Sequence, residues 1–139
     1  MIAFDTDVLT EILLGNAAFV ARATLIPMRE QGVPVIVIEE IMRGRLNVLR
    51  QAEAGRANAT ITRAYELFEE TFRDFRRLHI LSHTTQAEAL YQQWRQQGIR
   101  MATHDLRIAA LCVAHAARLI SRNRRDFERV PGLMVEFWE

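Results

Sequence analysis

The chain has 139 residues, half of them hydrophobic and a quarter charged, which excludes a disordered polymer and fits one compact domain, 1–139. A domain of this size buries roughly 65 to 70% of its unfolded surface, so its core needs no disulfide or structural metal. The single cysteine, Cys112, lies in the apolar run Ile108 to Val113 and is expected to be buried, which rules out a disulfide framework and a cysteine-based zinc site. Basic and acidic side chains nearly balance at 18 and 17, yet residues 1–70 hold 7 basic and 10 acidic groups and residues 71–139 hold 11 and 7. All the basic residues are arginine, and the basic C-terminal half suits a polyanionic partner.

In chain order, Ile2-Ala3-Phe4 is a short apolar run ending in Asp5 and reads as a buried strand. Val8 to Leu14 and Ala17 to Glu30 have helical composition, interrupted at Gly15-Asn16 and again at Gly32 to Pro34. Val33 to Ile38 is strongly β-branched and reads as a second buried strand, which completes a βαβ crossover and puts Glu40 at the start of the next helix. Ile61, Tyr65, Phe68, Phe72 and Phe75 recur at spacings of 4, 3, 4 and 3, one stripe on a long helix. That stripe is expected in the core, with a dimer face or a groove for a partner helix as the alternative. Thr85 with Glu88 forms a capping box for a helix whose face carries Ala87, Leu90, Tyr91 and Trp94 and which stops at Gly98.

Thr103 is a candidate N-cap ahead of an apolar helix from Leu106 to Ala117. Arg118 to Ser121 is a short strand, Arg124 to Glu128 a helical turn, and Leu133 to Phe137 a final edge strand. Strands alternating with helices predict a three-layer α/β/α domain with a mainly parallel sheet flanked by helices. Met1 to Asp7 carries acids where a secretory signal needs basic residues, and no apolar run reaches 18 residues, so the expectation is a cytoplasmic protein with no membrane association.

Ligand sites in such sheets lie beyond the carboxyl ends of the strands. Asp5 ends the first strand, Glu40 follows the second, and Asp105 stands within a turn of Thr103, so three acids are placed to converge. Crowded carboxylates repel, and a divalent cation reverses that penalty. Hard oxygen ligands suit Mg²⁺ or Mn²⁺, which activate water and neutralise charge on a phosphodiester. Each acid also has an ordinary role. Asp105 and Glu40 near helix N-termini would be stabilised by the helix dipole, Asp7 is an early helix acid or an outer partner of the site, and Glu39 is spaced to pair with Arg43. Gly44, one turn below Glu40, leaves room for a substrate, which selects Glu40 over Glu39. His104, next to Asp105, reads as an ordinary surface histidine; His79, His83 and His115 lack metal-ligand spacing.

Four segments in this order resemble the PIN-domain ribonucleases, specifically the VapC-type toxins of type II toxin–antitoxin modules. They are Ile2-Ala3-Phe4-Asp5-Thr6-Asp7-Val8-Leu9, Glu40-Ile41-Met42-Arg43-Gly44, Asp105-Leu106-Arg107-Ile108-Ala109-Ala110, and Ser121-Arg122-Asn123 through Asp126-Phe127 to Pro131-Gly132-Leu133. The resemblance covers nearly the whole chain. It implies Mg²⁺- or Mn²⁺-dependent endonucleolytic cleavage of RNA to 5′-phosphate and 3′-hydroxyl products, with Asp5, Glu40 and Asp105 as catalytic metal-site acids and Ser121 as the nearby hydroxyl. Thr6, Asp7, Asn123 and Asp126 are secondary members; Asn123 stands where many PIN domains carry a fourth acid. Arg122, Arg124, Arg125 and Arg129 are candidate RNA contacts or, alternatively, a solvated or antitoxin-facing surface. A homodimer and a VapB-like antitoxin are the implied protein partners.

Two other readings stay open. Asp5-Thr6-Asp7 after a strand also resembles the start of a haloacid-dehalogenase-type phosphatase, although Leu9 stands where that family has Thr or Val and no later paired acidic motif is found. A catalytically degenerate PIN-like module that binds RNA or protein is the non-enzyme alternative, suggested by Asn123. A phosphoacceptor receiver domain is excluded because it needs a lysine.

Overall fold

Five short strands, all parallel to their neighbours, form the middle layer of the molecule. The computed structural model describes residues 1–56 and 58–139. The strands are β1 (Ile2–Phe4), β2 (Gln31–Pro34), β3 (His79–Leu81), β4 (Arg118–Ser121) and β5 (Val135–Phe137), in the order β3-β2-β1-β4-β5. The first strand in sequence is therefore the middle of the sheet. It pairs Ala3 with Gly32 on one side and with Leu119 on the other. Every connection crosses over through helices: α1 (Thr6–Leu13), α2 (Ala17–Thr24), α3 (Val35–Glu53), α4 (Ile61–Phe75), α5 (Thr85–Gln96), α6 (Thr103–Ala114) and the short α7 (Arg124–Phe127). This is the three-layer parallel architecture expected from the alternation of strands and helices.

The core gathers Phe4, Val8 and Leu9 with Val33, Val37, Leu106, Ile108, Leu111, Leu119, Ile120 and Phe127, each essentially inaccessible. Burial of each large side chain among them contributes about 1.5–3 kcal/mol. Cys112 lies in this core, where burial raises its thiol far above the ordinary range. At the β5 edge Trp138 packs edge-on against Phe4 at 6.0 Å and closes the sheet there. Between α5 and α6, Arg107 grips the Glu88 carboxylate with three contacts of 2.8–3.1 Å and lies 4.3 Å over the Tyr91 ring. No helix among the described residues is long and apolar enough to cross a membrane.

Several sequence expectations shift in register. The β-branched run at 35–38 is helical: β2 ends at Pro34 and α3 begins at Val35. Strand preference is largely a preference for a packed, half-buried surface, and here Ile36 and Val37 satisfy it from the inner face of a helix. The stretch 17–30 is broken at Leu25 to Pro27, and only a 3₁₀ turn at Met28–Glu30 follows. Thr84, not Thr85, caps α5, accepting from the Ala87 N–H at 3.1 Å, and Glu88 is turned toward Arg107 and His83. α6 is capped at Ala102 and spans 103–114, so Thr103 is its first residue. β3 has no counterpart in the sequence expectations.

The aromatic stripe of α4 is also corrected. Phe75 is buried, but Tyr65 and Phe72 are 54% and 55% exposed, and Ile61 is exposed as well. The residues that α4 turns inward are Ala64, Thr71 and Phe75. Thr71 accepts a hydrogen bond from Arg45 at 2.9 Å, which ties α4 to α3 through a polar contact and leaves most of the stripe outside.

Candidate functional site

The carboxyl ends of β1 and β4 lie side by side because the two strands are paired in parallel, and that pairing builds the site. Asp5 follows β1 directly, its backbone N–H donating to the Ile120 carbonyl at 2.9 Å. Its side chain caps α1, with Oδ1 accepting from the Thr6 N–H at 2.8 Å. Oδ2 accepts from the Ser121 hydroxyl at 2.6 Å, a short charge-assisted bond across 116 positions of sequence. Ser121 in turn accepts from the Asn123 N–H at 3.0 Å. Only 5% of Asp5 is exposed, and burial pushes its carboxyl up to about 6 against the opposing pull of Ser121 and Thr6, with the charges of Asp105 and Asp7 adding to the rise.

Glu40 is the sixth residue of α3, one and a half turns in, rather than at its start. It reaches the site all the same: the Thr6 hydroxyl donates to its Oε1 at 2.9 Å. Asp105 stands in the first turn of α6, half-buried, its carboxyl also raised to about 6, first by burial and then by the charges of Glu40, Asp126 and Asp7. Asp5, Glu40 and Asp105, with Asp7 and Asp126 around them, thus share one electrostatic neighbourhood drawn from four segments of chain. Asn123 caps α7 by accepting from the Asp126 N–H at 3.4 Å and holds the Asp126 carboxylate through its amide at 3.1 Å. The residue at the fourth acidic position therefore orients the next acid along.

These acids do not close into a tight cage. Among the described residues no three His, Cys, Asp or Glu side chains stand as a ready-made metal cluster. The donor set is nevertheless suited to a hard divalent cation that keeps much of its water: all oxygen, with Asp5 and Asp105 raised by burial and neighbouring charge, and with Asp5 and Glu40 held in orientation by Ser121 and Thr6.

The candidate RNA-contact arginines are distributed around this edge and are mostly occupied. Arg122 pairs with Glu11 at 3.2 Å and lies over the Phe19 ring. Arg124 lies 4.4 Å over Phe137 and reaches Glu139. Arg129 pairs with Asp126 at 3.2 Å and donates to the Arg100 carbonyl, while Arg125 is exposed. Gly44 lies open: beyond its chain neighbours and the backbone of its own helix, no atom stands within 4 Å of where a Cβ would be. Glu39 makes the expected bond to Arg43, at 2.6 Å, and also a contact the sequence did not announce, to His104 at 3.0 Å.

The PIN-domain family model matches residues 2–133. The chain belongs to the PIN-domain family. Among curated proteins it is similar to Ribonuclease VapC2 of Rickettsia felis, 31% identical over 67 residues, a segment that is 45% of this chain and half the length of that relative. Among solved structures, the fold matches that of VapBC2 from Rickettsia felis bound to a promoter DNA fragment, with a TM-score of 0.77, 20% identity and complete coverage of both chains. It also matches FitAcB from Neisseria gonorrhoeae, with a TM-score of 0.79, 22% identity and coverage of 97% and 96%. At these identities the structural likeness speaks for the fold. This PIN domain's four sequence segments meet at one sheet edge, and membership in the family replaces the phosphatase alternative.

Proposed function

We propose that this PIN domain is a VapC-type toxin: a Mg²⁺- or Mn²⁺-dependent endoribonuclease, active in the cytoplasm and neutralised by a VapB-like antitoxin. The observation that carries the reading is the convergence at the carboxyl edge of a parallel sheet of Asp5, held by Ser121 and Thr6, of Glu40, held by Thr6, and of the half-buried Asp105, with burial raising the Asp5 and Asp105 carboxyls to about 6. A buried carboxylate cluster that disfavours its own charge is stabilised by a cation and destabilised without one.

Asp5, Glu40 and Asp105 would hold the ion, directly or through water. When bound, the ion supplies Lewis acidity, lowering the pKa of its water and offsetting charge on the phosphodiester. The Ser121 hydroxyl and the Thr6 N–H hold the Asp5 carboxylate, and the Thr6 hydroxyl holds that of Glu40, so both acids are fixed in orientation. Asn123 fixes Asp126, whose charge, with that of Asp7, deepens the negative potential. Arg122, Arg124, Arg125 and Arg129 draw the RNA backbone to the rim, exchanging exposed ion pairs, each of little worth in water, for phosphate contacts. Gly44 leaves the α3 backbone open to approach beside Glu40.

The decisive experiment is cleavage of end-labelled total RNA by the purified protein with Mg²⁺ or Mn²⁺, run beside EDTA and Asp5→Asn. Discrete products lost in both controls establish the activity. A second reading, a degenerate module that binds RNA or protein, draws on Asn123 at the fourth position and on the absence of a tight three-ligand cluster among the described residues. It predicts neither cleavage nor Asp5-dependent cation binding.

The partners follow the same reading. The exposed part of the α4 stripe borders an apolar hollow of about 310 Å³ lined by Ile38, Met42, Phe72, Phe75, Arg76 and Ile80, which suits an apolar antitoxin segment. A homodimer completes the proposed assembly.

A further inference from the structure

Two side chains beside the acidic cluster have no part in the scheme above, and they meet each other. Glu39 precedes Glu40 on α3, and His104 precedes Asp105 on α6. The imidazole Nε2 of His104 lies 3.0 Å from Glu39 Oε1, across 65 positions of sequence. The other oxygen of Glu39 is held by Arg43 at 2.6 Å, one turn along the same helix, so the carboxylate is restrained from both sides. Glu39 and His104 are partly exposed, at 47% and 32% of their side chains, and a pair so placed adds little to global stability. What it joins is local: the turn of α3 that also carries Glu40 and the first turn of α6 that also carries Asp105.

We infer that Glu39 and His104 form a clamp of positioning residues that sets the separation of Glu40 and Asp105, and with it the affinity of the site for a divalent cation. The inference rests on the metal-site reading given under Proposed function. Neither residue touches the ion. Each acts through its neighbour in sequence, and Arg43 holds Glu39 in the rotamer that reaches α6.

The test is a Mn²⁺ titration of the full chain, following loss of the free-ion electron paramagnetic resonance signal. Glu39→Ala and His104→Ala are each expected to weaken Mn²⁺ binding about tenfold, as loss of an outer support of a metal site does. The double variant should be no weaker than either single one, because all three lose the same contact. His104→Gln, which keeps a donor, and Glu39→Gln, which keeps an acceptor without the charge, should recover most of the affinity. The metal-free unfolding midpoint should not move. Unchanged Mn²⁺ affinity in the alanine variants overturns the clamp, and so does Glu39→Gln binding as weakly as Glu39→Ala, since the effect then belongs to charge alone. Asp105→Asn and Glu40→Gln separate the two levels of inference. If they abolish binding while the clamp variants do not weaken it, only the clamp fails; if they too bind normally, the metal site itself is wrong.

Discussion

Asp105 holds a charge at neutral pH that its surroundings disfavour. Its carboxyl titrates near 6 in the folded protein against 3.8 for the free group, so its contribution to stability is complete below pH 3.8 and is lost as pH rises through about 6. Asp105→Asn removes that loss. Because the group is only half-buried, the gain is discounted for solvent screening to about 1 kcal/mol at pH 7.5, and it should vanish near pH 4. Urea denaturation of metal-free protein at the two pH values checks this. Mg²⁺ or Mn²⁺ should raise the unfolding midpoint of the parent protein and not that of the variant, and the effect on the parent should weaken as pH falls below 6 and protons compete for Asp5 and Asp105. A variant less stable than the parent at both pH values would make Asp105 a structural helix-terminus acid. The placement of Asp5 directly after a strand and of Asp105 in the first turn of a helix was legible from local boundaries, whereas Glu40 stands deeper in α3 than its sequence suggested, and the Glu39 to His104 bond was not legible at all, since nothing local in either segment encodes a contact 65 positions away.

At the level of elements, the α5 cap separates two readings of the same dipeptide. Thr84→Ala should cost about 1 kcal/mol in chemical denaturation, because it frees the Ala87 N–H that Thr84 now satisfies, while Thr85→Ala should be nearly neutral. Comparable losses would restore the capping box at Thr85. The sequence misplaced this cap because Glu88 fits a box from Thr85, but in the structure Glu88 answers to Arg107, a partner on another helix. The start of α3 was misplaced for a related reason. A β-branched run shows only that a segment is packed, and the core around the start of α3 supplies that packing to a helix equally well. β3 escaped notice because it is three residues long at a sheet edge, with Leu81 its only buried side chain, too short for a period of two to register. Strands β1 and β4, each clamped between neighbours, were legible from their apolar runs.

Across the whole molecule, the α4 stripe shows that periodicity reports a face without saying what covers it. Spacing put Tyr65, Phe72 and Phe75 on one side of the helix, yet the chain itself buries only Phe75. Phe72→Glu is therefore expected to leave the unfolding midpoint within about 0.5 kcal/mol of the parent, as surface changes do, and, on the proposed function, to abolish capture by a co-expressed VapB-like antitoxin. Capture at full strength would assign the stripe to a different contact, such as the subunit interface. The parallel order of the sheet was inferable from the alternation of elements, and it is this order that brings the separate acids to one edge.

The bond between Ser121 and Asp5 has a consequence in time as well as in space. During synthesis the middle strand of the sheet emerges first, but its second neighbour, and the hydroxyl that holds Asp5, emerge only after residue 117 has been added. Until then β1 has one flank open and Asp5 lacks the Ile120 carbonyl for its N–H and the Ser121 hydroxyl for its side chain. A ribosome therefore carries this chain for most of its elongation without the complete candidate site, and a nascent chain stalled before β4 has Asp5, Glu40 and Asp105 but not the Ile120 and Ser121 contacts that hold Asp5 in place.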